Sequence, residues 1–118
     1  MRRRNDVHSR SVESVVIFTT TPTEADAKRI AKELVAKRLA ACTSILPAVE
    51  SVFRWEGKIT TESESLVMVK TRRSLFEAVA GEIEKLHPYE VPEIIAVTVS
   101  EGSSKYLKWI RENTGKRR

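Results

Sequence analysis

A single cysteine, Cys42, stands in this chain of 118 residues, so no disulfide can form within it. That usage fits a reducing compartment, and the expected location is the cytoplasm. No apolar run approaches the roughly 20 residues that cross a bilayer, so no membrane association is expected. The opening Met1-Arg2-Arg3-Arg4-Asn5-Asp6 is not followed by the apolar stretch of a secretory signal. There is no Gly-rich phosphate loop, Walker sequence, paired-cysteine metal motif or nucleophile elbow. With no nucleophile-base pair visible, the chain is expected not to be an enzyme. Histidine is scarce too: His8 and His87 are the two present.

The formal net charge is +5, a value that suggests nucleic acid until its location is read. Residues 1–13 carry four Arg against Asp6 and Glu13, and residues 114–118 carry Lys116, Arg117 and Arg118. The 14 basic and 14 acidic side chains between them cancel. The basic character therefore belongs to a flexible leader, 1–13, and a basic tail, 114–118, around one neutral domain, 14–113. No nucleic-acid partner is expected.

What the sequence does have is a long hairpin, Val49 to Thr71. Val49, Ser51, Phe53 and Trp55 alternate with Glu50, Val52 and Arg54, the period of a strand. Glu56-Gly57 is the turn, with Gly57 supplying positive φ. Leu66-Val67-Met68-Val69 is continuously apolar, as in a strand buried on both faces. A hairpin this long outreaches a small domain, and an edge bearing Phe53 and Trp55 invites another chain.

Around it, Ser14–Thr20 reads as a buried central strand. A helix starts at Thr21-Pro22 or at Thr23 with Asp26. It turns Ala27, Ile30, Ala31, Leu34 and Val35 inward and ends near Arg38 or Leu39. Ala40–Leu46 is extended, and Pro47 interrupts it at an edge or a bulge. Ser74 with Glu77 has the capping-box spacing for a second helix. It buries Val79, Ala80, Ile83 and Leu86, sets Glu77, Glu82, Glu84 and Lys85 outward, and stops at His87 before Pro88. Glu93–Val99 is the last core strand. Ser103 or Ser104 caps a short third helix bearing Tyr106, Leu107, Trp109 and Ile110, and Gly115 ends it. The fold class is α+β: a ferredoxin-like βαββαβ sandwich with an extended β-hairpin and a C-terminal helix. Helices cover one face of the sheet, and the apolar other face gives a second reason to expect self-association.

The densest polar constellation is His87-Pro88-Tyr89-Glu90-Val91-Pro92-Glu93. Its prolines hold the loop extended. Imidazole plus carboxylate can bind a transition metal or serve as an acid-base pair. The plainer alternative has His87 ending a helix, Tyr89 packing its ring and Glu90 pairing with a Lys. Cys42 lies among small and apolar residues and reads as a buried thiol. Trp55, Tyr106 and Trp109 suit stacking on a ligand or, more plainly, packing at a subunit interface.

Taken together, these residues resemble the CutA family, the divalent-ion-tolerance proteins, from about Val15 to Asn113. The markers are Thr20 with Pro22, Ala40-Ala41-Cys42, Trp55-Glu56-Gly57-Lys58, Glu64, Lys70-Thr71, His87 to Glu93, and Tyr106-Leu107-Lys108-Trp109.

The resemblance implies a cytoplasmic homotrimer built like the PII signalling proteins. Its long hairpins would pair between subunits through Phe53, Trp55, Gly57, Tyr106 and Trp109. It also implies a role in divalent metal tolerance, copper above all. In bacterial members the proposed copper ligands are a Cys in the first strand and two adjacent His before Pro-Tyr. Thr19 and Leu86-His87 stand at those positions here. His87 and Glu90 are then the metal candidates, with Glu64 or a neighbouring subunit completing a weak site. The alternative is a trimeric sensor of a small molecule or anion, held in an inter-subunit cleft by Lys70, Tyr89, Glu64 and Trp55.

Overall fold

The structure, a computed structural model, describes residues 13–116. Nearly all of the expected leader, His8 included, lies outside the described residues, as do Arg117 and Arg118.

The chain runs β1 (Ser14–Thr21), α1 (Glu24–Ala36), β2 (Cys42–Trp55), β3 (Lys58–Arg72), α2 (Phe76–Leu86), β4 (Ile95–Thr98) and α3 (Ser104–Glu112). The strands form one antiparallel sheet in the order β2-β3-β1-β4. This is the ferredoxin-like arrangement with a long β2-β3 ribbon and a helix added at the end.

Period two sorts the central strands onto two faces. Val15, Ile17, Val67 and Val69 are buried against Ala27, Ile30 and Leu34 of α1 and Val79 and Ile83 of α2. Their alternates Val16, Phe18, Leu66, Met68 and Lys70 fall on the other face, which neither α1 nor α2 covers, and are only partly buried. α1 begins where Thr23 accepts a hydrogen bond from Asp26 N and donates one to the Asp26 carboxylate. Arg29 adds an ion pair to Asp26, and with the Thr23 bond leading, these contacts hold that carboxyl below its ordinary range. α3 begins at Ser103, whose hydroxyl accepts from Tyr106 N. The turn between β2 and β3 puts Glu56 at φ 50° and Gly57 at φ 79°, the left-handed pair of a type I′ hairpin.

β2 and the ribbon read from sequence are one strand. Pro47 and Ala48 form a β-bulge between the pairs Leu46–Leu66 and Val49–Glu64, with Ala48 at φ 61°. The extra residue has an effect on parity. Before it, the even residues Cys42, Ser44 and Leu46 pair with Lys70, Met68 and Leu66; after it, the odd residues Val49, Ser51, Phe53 and Trp55 do the equivalent with Glu64, Glu62, Thr60 and Lys58. The bulge keeps the aromatic side of the arm on the open face.

Several expectations need correction. The Ser74–Glu77 capping box does not form. Arg73 is tied to Glu13 and Thr98, the chain makes a 3-10 turn over Arg73–Leu75, and α2 starts without a side-chain cap. Val35 is exposed, because α1 sits with Ile30 and Leu34 at the centre of its stripe. Glu82, expected outward, is 9% exposed and bonded to Lys37 at 2.7 Å. That contact holds the Glu82 carboxyl below its ordinary range and the Lys37 ammonium above its own. β4 is not a seven-residue core strand: it spans four residues at the sheet edge, with Ile95 and Val97 each 54% exposed. Its apolar run faces the open side of the sheet.

Part of the expected tail is packed. Thr114 is buried, with its Oγ1 accepting from Arg72 Nε at 2.8 Å, and Gly115 N donates to Arg38 O at 2.8 Å while Arg38 Nε donates to Gly115 O at 2.7 Å.

Candidate functional site

The candidate residues fall into three places rather than one. The first is where β1 ends and α2 stops. His87 is the C-cap of α2, and its backbone N–H donates to Ile83 O at 2.8 Å. Its side chain is buried and turned back to the sheet. Nε2 lies 2.7 Å from the Thr20 carbonyl, and Nδ1 lies 3.0 Å from the Tyr89 backbone N–H. A carbonyl only accepts and an amide N–H only donates, so Nε2 carries the proton and Nδ1 uses its lone pair. Both ring nitrogens are spent. This agrees with the plainer of the two sequence-based alternatives for His87.

Tyr89 stacks at a tilt on that ring, centroids 5.0 Å apart, and its hydroxyl donates to Glu64 Oε2 at 2.8 Å. Partial burial first, and the Glu64 bond second, push the Tyr89 hydroxyl up to about 12. Glu64 is 6% exposed. Glu93 lies near enough that its carboxyl, raised first by burial, is raised further by the Glu64 charge. Glu90 is exposed and takes no part in this network.

These donors do not fit a copper ion within one chain. The imidazole has no free lone pair, Thr19 is buried with an unpartnered hydroxyl, and the described residues contain no group of three or more His, Cys, Asp or Glu converging on one point.

The second place is the far end of β3. Lys70 Nζ donates to Ser44 Oγ and reaches Cys42 Sγ at 3.9 Å, both on the neighbouring strand. Burial first, then the nearby Cys42, raise the Tyr106 hydroxyl. Tyr106 stacks on Trp109 at 5.6 Å and 25°. Cys42 is half-buried rather than fully buried. No sequence motif marks Cys42 and Ser44 as polar partners of Lys70; the signal is their alternate positions on the strand that pairs with it.

The third place is the arm tip, where Trp55 is 59% exposed beside Gly57, with Phe53 also exposed. Of the expected cleft residues, Glu64 and Tyr89 meet. Lys70 lies six residues along β3 from Glu64 in one direction, and Trp55 six residues along β2 from the Glu64-paired Val49 in the other. At about 3.3 Å per residue each is ~20 Å away.

A family model described as CutA1 divalent ion tolerance protein matches residues 15–113. The chain is 46% identical over 100 residues to the divalent-cation tolerance protein CutA of Thermus thermophilus, covering 85% of this chain and 97% of that protein. It is 41% identical over 111 residues to the chloroplastic protein CutA of Arabidopsis thaliana, covering 94% of this chain but 61% of that longer protein. Among solved structures, that of CutA1 from Oryza sativa superposes with a TM-score of 0.87 at 41% identity, covering 92% of this chain and 99% of that one. The Thermus thermophilus structure gives 0.85 at 45% identity over 86% of this chain and 99% of that one.

Proposed function

We propose that this chain, which belongs to the CutA1 divalent ion tolerance family, acts as a cytoplasmic homotrimer in the divalent-cation response, copper above all, as a signalling-type scaffold rather than a catalyst. The supporting observation is the apolar surface that stays exposed on the second face of the sheet. α1 and α2 cover one face, while Leu46, Phe53, Trp55, Ile95 and Val97 remain exposed on the other. Such a surface asks for a partner of its own kind. β2 and β4 are the two sheet edges, so the arm of one copy can add to the edge of the next, and a closed ring leaves no free edge.

The non-catalytic reading is supported by His87. An imidazole held by a carbonyl on one side and an amide on the other is an architectural residue, not a free base. Any copper site draws on donors from more than one copy. Among the described residues no helix is long and apolar enough to cross a membrane.

Light scattering tests the assembly. The expected mass is about three times the 13.4 kDa of the chain. A monomer at micromolar concentration would remove the proposal.

A further inference from the structure

The open sheet face carries two charges that the described residues leave without an opposite charge. Lys70 and Glu64 both sit on that face of β3. The Lys70 ammonium touches a hydroxyl, Ser44 Oγ, and a sulfur, Cys42 Sγ at 3.9 Å, but no carboxylate. Glu64, at 6% exposure, has the Tyr89 hydroxyl as its partner and a second acid, Glu93, beside it. Among the described residues neither Lys70 nor Glu64 joins an ion pair. Six residues of extended strand hold them ~20 Å apart, so they cannot reach each other within one chain.

Covering this face with protein withdraws the remaining water from both groups, and an unpaired charge is costly to bury. A head-to-tail ring brings unlike patches together: one region of a copy meets a different region of the next. We propose that Lys70 of each copy pairs with Glu64 of the partner subunit, once at every interface of the ring. The inference rests on the trimeric reading and adds to it the contact that sets its register. Apolar strands slide past one another by two residues with little change in the buried surface. A charge pair does not tolerate that slip.

The test compares full-length variants by light scattering across a guanidinium titration, with circular dichroism confirming that each is folded beforehand. Lys70→Glu and Glu64→Lys should each dissociate at lower denaturant than wild type, and the swapped pair K70E/E64K should recover most of the loss. Lys70→Met, Glu64→Gln and their combination form a second set that keeps the shape of both side chains. There, removing the second charge should shift the midpoint much less than removing it from wild type. A swapped pair no better than the poorer single variant would overturn the pairing. If the swapped set does not fold, the neutral set decides, and additive shifts overturn the pairing. They would mean that Lys70 and Glu64 act independently of each other. A wild-type monomer sinks the trimeric reading and the inference with it; a wild-type trimer with additive shifts sinks the inference alone.

Discussion

Tyr89 donates its hydroxyl to Glu64 across 2.8 Å, tying the loop after α2 to the middle of β3. The bond gives a buried carboxylate its one donor among the described residues, and it ties up a tyrosine hydroxyl.

Tyr89→Phe should therefore destabilise the fold by about 1–2 kcal/mol, because it leaves Glu64 short of a partner. The sign with pH follows from the raised Tyr89 pKa of about 12. The unfolded hydroxyl ionises near 10, so the contribution is complete below that value and is lost as pH rises through about 12. Denaturation followed from pH 8 to pH 12 should show a fall in wild type that is shallower in Tyr89→Phe. Identical slopes would mean that the hydroxyl is not held as described.

The Lys37–Glu82 bond should act at the acid end. The Glu82 carboxyl is held down, chiefly by the Lys37 bond, so its contribution is present above the unfolded value of about 4.3. It fades as pH falls through the lower folded value. Lys37→Met should melt earlier than wild type at neutral pH and converge with it in acid. A gap that persists at pH 2 would assign the effect to packing instead.

His87→Ala should cost stability rather than metal. Losing the side-chain bonds to Thr20 O and from Tyr89 N should remove about 1–3 kcal/mol. Copper titration by calorimetry at neutral pH should give the same isotherm for this variant and wild type. A stoichiometric copper event present in wild type and absent from His87→Ala would place a metal on that imidazole after all.

At the arm tip, Gly57→Val forces a β-branched residue to φ 79°, which should cost about 1–2 kcal/mol although a Cβ there meets no atom within 4 Å. Trp55→Ala should leave the melting of the single fold nearly unchanged and lower the concentration-dependent stability of the assembly, since the ring is 59% exposed in one chain. If Trp55→Ala melts like wild type at every protein concentration, the arm is not an interface.

Local chemistry was legible in the sequence. Thr23 with Asp26, Ser103 before Tyr106, and Glu56-Gly57 each settle their geometry with residues three or fewer apart. Features decided by distant neighbours were not. Glu82 reads as an outward acid until Lys37, 45 residues away, is placed beside it. Ser74 has the spacing of a cap, but Glu13 and Thr98 fix Arg73 and turn the chain before that cap can form. β4 reads as core because Ile95 and Val97 are apolar, yet beside Phe18 and Val16 at the sheet edge each stays 54% exposed. In the candidate site, the sequence marks His87 by its place in the His87–Glu93 constellation. Its two ring bonds depend on the Thr20 carbonyl and the Tyr89 backbone N–H, which no motif reports.

The bulge at Pro47-Ala48 works as a clutch between the two halves of β2. An extra residue reverses the faces of a strand unless something absorbs it, and here Pro47 and Ala48 together stand where the partner strand spends one residue. Losing Ala48 alone would leave a regular strand in which Val49 still pairs with Glu64, so Phe53 and Trp55 would stay on the open face. Among otherwise similar chains, those one residue shorter between Leu46 and Val49 should thus carry their aromatics on the same side and differ in the bend of the arm.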